Sequence, residues 1–328
     1  MSKILITGGA GFIGLWLIKR LAYSEENEIT VLDNLVRGRM DDDLKQILQK
    51  KNINFIQADL TNPLVFLNLP KDFDYIYHLA AVIGVRNVLE NPDKVLFVNA
   101  ISTLNIFEFT KNMPSLKKIL FSSTSEIYAG TLRHFGIEVP TDEKIQLTID
   151  DITSERTTYM LSKMFGESTC YNYGKKYSIP FTIVRYHNVY GPRMGFLHVI
   201  PQMFIKILNN DVIDVPSPTH TRAFCYIDDA IEMTIKVAES GMTNSETFNI
   251  GNQEQEISIR DLVTIIAEVL GRKIKINELP NTIGSPARRC PNISKIVQYI
   301  DCSPLIHLKE GVLLTYQWYK DKLDQCYE

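Results

Sequence analysis

Short runs rich in β-branched and aromatic residues alternate along the first half of the chain with longer stretches in which apolar positions recur at helical spacing. The runs fall at residues 3–7, 29–32, 54–58, 75–78, 118–122 and 181–185, and the helical stretches at 15–22, 93–111 and 156–176. Strand-helix-strand units of this kind need crossover connections, which make neighbouring strands parallel and cover both faces of the sheet with helices. The pattern predicts an α/β fold on a doubly wound parallel sheet. Beyond about residue 186 the alternation loosens, punctuated by Pro192, Pro201, Pro216, Pro218, Pro280, Pro286, Pro291 and Pro304. Helices are predicted there at 201–209, 227–240, 258–270 (opened by Ser258 with Asp261 three residues on) and 309–322. The organisation expected is a main domain over residues 1–186 and a smaller, discontinuous α/β lobe over 187–328. Strands at 223–226 and 247–250 are expected to return to the main sheet.

The first strand runs straight into Thr7-Gly8-Gly9-Ala10-Gly11-Phe12-Ile13-Gly14. Gly9, Gly11 and Gly14 satisfy the G-x-G-x-x-G spacing, in which missing side chains let the backbone and a helix N-terminus approach a pyrophosphate. Asp33 closes the second strand about twenty residues on, placed to accept from an adenosine ribose 2′-OH. Together these features make the sheet Rossmann-type and point to a dinucleotide. A carboxylate repels a 2′-phosphate, so NAD is expected ahead of NADP, with Arg37 and Arg39 close enough to temper the preference. Ligands of such sheets sit beyond the carboxyl ends of the strands, so the loops after Leu32, Ala58, His78, Ser122 and Arg185 should line the site.

The 328 residues are 45% hydrophobic and 22% charged, which describes an ordinary globular chain of one large or two moderate domains and not a disordered one. A net charge of −3 gives no bulk attraction to nucleic acid or to an anionic membrane, so neither is expected as a partner. No apolar stretch approaches the roughly twenty residues of a membrane span, and because the chain opens on a predicted strand, export is not expected. Cys170, Cys225, Cys290, Cys302 and Cys326 are odd in number and lack C-x-x-C spacing, which argues against a disulfide framework and a zinc site. A cytoplasmic location is expected.

Tyr159 and Lys163 lie four apart on a predicted helix, which places phenol and ammonium on one face. A free tyrosine titrates near ~10, but a neighbouring ammonium and a nicotinium cation both favour phenolate, so Tyr159 can take a hydroxyl proton as hydride leaves carbon. Thr124, at the end of a sheet strand, offers a hydroxyl beside it. With these pieces in order the chain resembles an extended short-chain dehydrogenase/reductase of the nucleotide-sugar epimerase, dehydratase and decarboxylase group, over essentially its whole length. The resemblance rests on Gly8-x-x-Gly11-x-x-Gly14, Asp33, Asp59-Leu60, His78-Leu79-Ala80-Ala81, Asn99, Thr124, Tyr159-x-x-x-Lys163, Asn188-Val189-Tyr190-Gly191-Pro192 and Thr221-Arg222-Ala223-Phe224-Cys225-Tyr226. Each is short; the ordered set is specific.

The resemblance implies that Gly8, Gly11, Phe12, Ile13 and Gly14 hold NAD, with Asp33 and Asn34 at the adenosine ribose and Asp59 and Leu60 at the adenine. It places Leu79, Ala80 and Ala81 beside the cofactor phosphates, Asn99 among the cofactor contacts, and Tyr159 with Lys163 at the nicotinamide ribose. Asn188, Arg222 and Arg289 are implied substrate contacts, the two arginines at a nucleotide-sugar diphosphate, and Arg288 is an alternative to Arg289. A homodimer is implied through the helices at 93–111 and 156–176.

The shared first step implied is oxidation at sugar C4, with Thr124, Tyr159 and Lys163 as catalytic residues. Glu126 and Ser125, next in the loop, then decide the outcome. Thr124-Ser125-Glu126 resembles both 4,6-dehydratases, where the glutamate removes the C5 proton, and UDP-glucuronate decarboxylases, which also share Thr-Arg-x-Phe-Cys-Tyr and Gly-Pro-Arg-Met with this chain. The expectation is a 4,6-dehydratase; the alternatives are a 4-epimerase, a decarboxylase and a net C4 dehydrogenase. Ser125 in place of an acid, the segment 131–143, and Arg156-Thr157-Thr158 before Tyr159 depart from familiar patterns. His78 reads as structural, His220 as a loop residue, and His187 as a hydrogen-bond partner behind the site.

Overall fold

The computed structural model describes residues 1–282 and 286–322. Its frame is a seven-stranded parallel sheet. In chain order the strands and helices of the first half are β1 (Lys3–Thr7), α1 (Phe12–Leu21), β2 (Glu28–Asp33), α2 (Asp42–Ile47), β3 (Ile53–Gln57), β4 (Tyr75–His78), α3 (Val85–Glu90), α4 (Pro92–Thr110), β5 (Lys118–Thr124), α5 (Ala129–Phe135), α6 (Thr157–Tyr177) and β6 (Phe181–Tyr186). The second half adds β7 (Val189–Tyr190), α7 (Val199–Asn209), β8 (Val212–Pro216), β9 (Thr221–Ala223), β10 (Cys225–Tyr226), α8 (Ile227–Glu239), β11 (Glu246–Ile250), β12 (Glu256–Ser258), α9 (Ile259–Val269), β13 (Lys275–Leu279), β14 (Arg288–Arg289), α10 (Ser294–Ile300) and α11 (Leu308–Tyr319). The main sheet runs β11-β6-β5-β4-β1-β2-β3, so the order reverses at β1 and β4 and opens a crevice beyond their carboxyl ends.

Side-chain alternation along the strands builds a core on each face. Ile4, Ile6, Val31, Tyr77, Leu120 and Val184 join one buried cluster with residues of α1 and α8. Leu5, Leu32, Ile76, Ile119, Phe121 and Ile183 join the other, with Ile106 and Phe107 of α4 and Cys170 of α6. Ser258 opens α9 as its residue type dictates, its Oγ accepting from the Asp261 N–H at 3.0 Å.

Residues 247–250 return to the main sheet within β11, paired in parallel with β6. Residues 223–226 do not, which corrects that expectation. β11 occupies the edge beside β6, and the turn at Asn188, with φ +39°, carries the chain past the end of β6 into β7. Cys225 and Tyr226 pair with β7, whereas Ala223 pairs antiparallel with Glu256 of β12. The small sheet β12-β9-β14 thereby sets Arg289 beside Arg222 in parallel register. Cys326 lies outside the described residues; Cys170, Cys225, Cys290 and Cys302 are free thiols, all buried. Among the described residues no helix is long and apolar enough to cross a membrane.

Candidate active site

At the crevice the chain leaves β1 through Gly8, whose φ of +75° favours glycine. A Cβ built on Gly8 would stand 2.7 Å from the Ala80 nitrogen, so the bare backbone is what lets the segment after β4 lie against the turn. Leu79 and Ala80 are held there by β1, through the Thr7 carbonyl (3.1 Å) and the Thr7 hydroxyl (3.3 Å). A Cβ on Gly14 would stand 2.6 Å from Gly9 Cα, which fixes how closely α1 packs on the turn. Gly11 caps α1 with no side chain, and the first turn, including Phe12 and Ile13, carries no acid. The positive end of the helix dipole is thus left to an anion.

Asp33 sits at the tip of β2, accepting from the N–H of Ala10 at 3.0 Å and of Leu35 at 2.8 Å. Burial raises its pKa, opposed by these two N–H groups and by the charge of Arg193. The other residues expected at the nucleotide make local bonds. Asn34 accepts from the Val36 N–H at 3.1 Å, Asp59 accepts from both the N–H and the hydroxyl of Thr61, and buried Leu60 gives its carbonyl to Asn105. Asn99 is buried on α4 and bonds both backbone groups of Val82 and the Ser162 hydroxyl. It joins the segment after β4, next to Ala81, to α6.

The second cluster forms where β5 meets α6. Thr124 ends β5, and residues Ser125–Tyr128 make a single 3-10 turn whose Glu126 N–H donates to Thr124 Oγ1 at 3.2 Å. Ser125 is buried. On α6, Lys163 donates Nζ to the Ser122 carbonyl at 2.6 Å and lies 6.0 Å from the Tyr159 ring centroid. Burial depresses Lys163 to about 8. Burial raises the Tyr159 phenol well above its ordinary value and the charge of Glu126 adds to this, against a hydrogen bond with Thr124 and the charge of Arg37.

Glu126 has a cationic surround. Arg289 donates Nη1 to Glu126 Oε1 at 2.5 Å and is the main cause of a lowered Glu126 pKa, outweighing desolvation; Arg222 and Arg156 add to it. Arg222 is lowered to about 10 by burial and then by the neighbouring charge of Arg289. Arg289 Nε is buried with no protein partner. Arg288 turns the other way, pairing twice with Glu256 at 2.7 Å and once with the Val139 carbonyl, so of the two it is Arg289 that faces the cluster. Asn188 uses Nδ2 on the Ala223 carbonyl, 3.0 Å away and next to Arg222.

The structure thus brings Thr124, Glu126, Tyr159, Lys163, Arg222 and Arg289 to one place, with the glycine turn and Asp33 at the neighbouring strand ends. His78 bonds Thr7 and Thr103, and His187 bonds Asn249 at 3.1 Å, both behind the site. Sequence reading missed the parts played by Arg156 and Arg37, which reach this cluster electrostatically, and by Arg193. The only signals were Arg156 three residues before Tyr159 and Arg193 within Gly191-Pro192-Arg193-Met194.

Residues 4–251 match the NAD dependent epimerase/dehydratase family. The chain belongs to that family. Among its relatives, UDP-glucuronic acid decarboxylase 6 of Arabidopsis thaliana is 32% identical over 324 residues, spanning 98% of this chain and 90% of the relative. UDP-N-acetyl-alpha-D-glucosaminuronate decarboxylase of Bacillus cytotoxicus is 29% identical over 332 residues, with 98% of each chain covered. In structure the chain is similar to UDP-glucuronic acid 4-epimerase from Bacillus cereus, seen with NAD and a fluorinated UDP-glucuronic acid, at a TM-score of 0.86 and 27% identity over 97% of this chain and 99% of that one. As in the rest of this NAD-dependent epimerase/dehydratase family, the cofactor is NAD, and the residues present fit it: the turn at Gly8 and Gly14 excludes any Cβ, and α1 opens without a capping side chain.

Proposed function

We propose that this family member is a nucleotide-sugar decarboxylase acting on a sugar that carries a C6 carboxylate, of the UDP-glucuronate type. The observation that carries this reading is Glu126 paired with Arg289 and flanked by Arg222, with Ser125 standing where a dehydratase needs an acid. Removing water from C6 requires a group that protonates the departing hydroxyl. Glu126 is held ionised by Arg289, and a serine hydroxyl is too weak an acid for the task. Loss of carbon dioxide needs no such proton, because a ketone at C4 makes the C6 carboxylate a β-keto acid. This moves the reading away from the 4,6-dehydratase expectation and towards the decarboxylase alternative, in line with the names of the sequence relatives.

In this reading Gly8, Gly11, Phe12, Ile13 and Gly14 hold the NAD pyrophosphate, Asp33 the adenosine ribose and Lys163 the nicotinamide ribose. Bound NAD supplies a reversible hydride acceptor at C4. Tyr159 takes the C4 hydroxyl proton while Thr124 hydrogen-bonds the oxygen, and Lys163, while protonated, favours the phenolate. Once C4 is a ketone, the C5–C6 bond breaks and carbon dioxide leaves with the bond's electrons delocalised onto the C4 oxygen; C5 then takes a proton from water, and C4 regains hydride as Tyr159 returns the proton to its oxygen. Arg222 and Arg289 hold the diphosphate, their planar forks matching phosphate oxygens. Asn188 steadies the same end.

A second reading, 4-epimerisation of the same uronic acid, draws on the likeness to the Bacillus cereus enzyme. Incubating the protein with NAD and UDP-glucuronic acid, then weighing the products by mass spectrometry, separates them. A UDP-pentose lacking carbon dioxide supports the decarboxylase; an isomer of unchanged mass makes the protein an epimerase; loss of water restores the dehydratase. A homodimer is part of the proposal, supported by Leu96 and Phe97 on α4 and Phe165 on α6, all exposed. The buried free thiols among the described residues support a reducing, cytoplasmic setting.

A further inference from the structure

Arg193 has no assigned ligand contact above, yet it ties the strap after β7 to the glycine turn. It follows β7 in a left-handed conformation, φ +71°, which strains a residue other than glycine. Its side chain is 7% exposed, so its charge must be met inside the protein. It is met by four bonds. Nε donates to Asp41 Oδ2 at 2.6 Å, Nη2 to the Arg39 carbonyl at 2.8 Å, and Nη1 to the carbonyls of Ala10 and Gly11, both at 3.0 Å.

Ala10 and Gly11 are the middle of the glycine turn. The Gly11 N–H donates back to the Gly8 carbonyl at 3.1 Å, and Arg193 takes the carbonyls of Ala10 and Gly11 with one nitrogen, so the turn's own shape depends on these bonds. The Ala10 N–H goes to Asp33 at 3.0 Å, so the turn is gripped from both sides. The strap on either side of Arg193 is fastened as well. The Pro192 carbonyl accepts from Trp16 Nε1 of α1 at 3.0 Å, and the Met194 carbonyl accepts from the Tyr319 hydroxyl of α11. Four residues before Pro192, Asn188 bonds the carbonyl of Ala223, the neighbour of Arg222.

We propose that Arg193 is a positioning residue that holds the glycine turn in its NAD-binding shape and couples it, through the strap from Asn188 to Met194, to the arginine pair of the substrate lobe. Binding of NAD and of the nucleotide diphosphate should then be mutually reinforcing, since coupling between two sites is reciprocal. The inference rests on the NAD and nucleotide-sugar reading of the site but not on which reaction follows.

The test is calorimetric titration of the full-length protein with NAD, and with UDP in the absence and presence of saturating NAD, for wild type, R193M, R193K and D41N. R193M is expected to weaken NAD by about tenfold or more while UDP affinity without NAD stays within about twofold and the gain in UDP affinity on adding NAD disappears. R193K keeps the charge but cannot span four acceptors, and is expected to recover little; methylguanidine added to R193M is expected to restore part of the NAD affinity. D41N, which keeps the guanidinium and leaves an amide oxygen to cap α2 but removes the ionic partner, is expected to lose about threefold. NAD affinity within twofold of wild type in R193M, or unchanged in D41N, would overturn the proposal. So would a joint fall of NAD affinity, UDP affinity and melting midpoint that methylguanidine does not repair, because that pattern describes a scaffold residue only.

Discussion

Tyr159 is a phenol that burial and Glu126 hold neutral at the pH of the cell, yet the chemistry assigned to it needs the anion. The cationic charge already opposing this is that of Arg37, and further charge is to come from the nicotinium ring and protonated Lys163 when NAD is bound. Phenolate absorbance near neutral pH should therefore be missing from the NAD-free protein and appear on adding NAD, in wild type and not in Y159F. Y159F itself is expected to lower kcat by about 10²–10⁴-fold with NAD affinity changed only a few-fold. Lys163 is lowered to about 8 and supports Tyr159 only while protonated, so activity should fall as pH rises through that value. A guanidinium stays charged, so whatever activity K163R retains should lack that alkaline fall; an alkaline limb identical to wild type would show that Lys163 does not set it. At Glu126 the charge relation runs the other way. R289M removes the main cause of its low pKa and leaves a carboxylate beside bound anions, so substrate KM should rise, by about tenfold or more, ahead of any change in NAD affinity.

Between elements, a buried network holds the turn after β5 in place. Arg185 on β6 forms a fork with Glu167 on α6, at 2.9 and 2.7 Å, and also donates to the Tyr128 hydroxyl, which in turn donates to Asn249 on β11. Removing one member of a buried ion pair leaves the other charged and unpaired, so E167Q is expected to cost about 3 kcal/mol in urea unfolding. Two buried histidines give the fold a pH dependence. Burial depresses His78 and His187 to about 3 from an ordinary 6.5, so the unfolded chain binds more protons than the folded one between those values. Stability is therefore full above about 6.5 and declines as pH falls toward 3, by at most about 1.4 kcal/mol per pH unit for each histidine. Unfolding free energies at pH 7 and pH 5 that agree would contradict this.

These elements also show what the sequence could and could not convey. Strands 3–7, 75–78 and 181–185 were legible as short runs of β-branched and aromatic residues, and helix 227–240 by its helical spacing of apolar positions. Gly8, Asp33, Tyr159 and Lys163 could be nominated from sequence because the chemistry they suggest is local to a turn, a strand tip or one helical face. Residues 223–226 were misplaced because strands of two or three residues carry no period, and their partner depended on β11 already occupying the sheet edge. Arg193 and the Arg289–Glu126 pair were not legible as contacts, since they join residues 152 and 163 positions apart in sequence and exist only once the chain has folded.

At the scale of the whole molecule, the fold sets a parallel sheet against a lobe whose arginines converge on the turn after β5, and the exposed apolar residues include Leu96, Phe97 and Phe165 on the helix pair α4 and α6. Leu96 is 39% exposed, Phe97 59% and Phe165 42%, on two helices that pack against each other. If these faces bury one another across a twofold axis, sedimentation should give a dimer at micromolar concentration and the F97D/F165D protein a monomer that still binds NAD. A wild-type monomer would refute the dimer. The most direct test of the central claim is the mass of the product formed from UDP-glucuronic acid with NAD, with nicotinamide absorbance followed at the same time. Loss of carbon dioxide with no lasting NADH is the expected result; an isomer of unchanged mass, a dehydrated product, or NADH accumulating in step with substrate loss would contradict it.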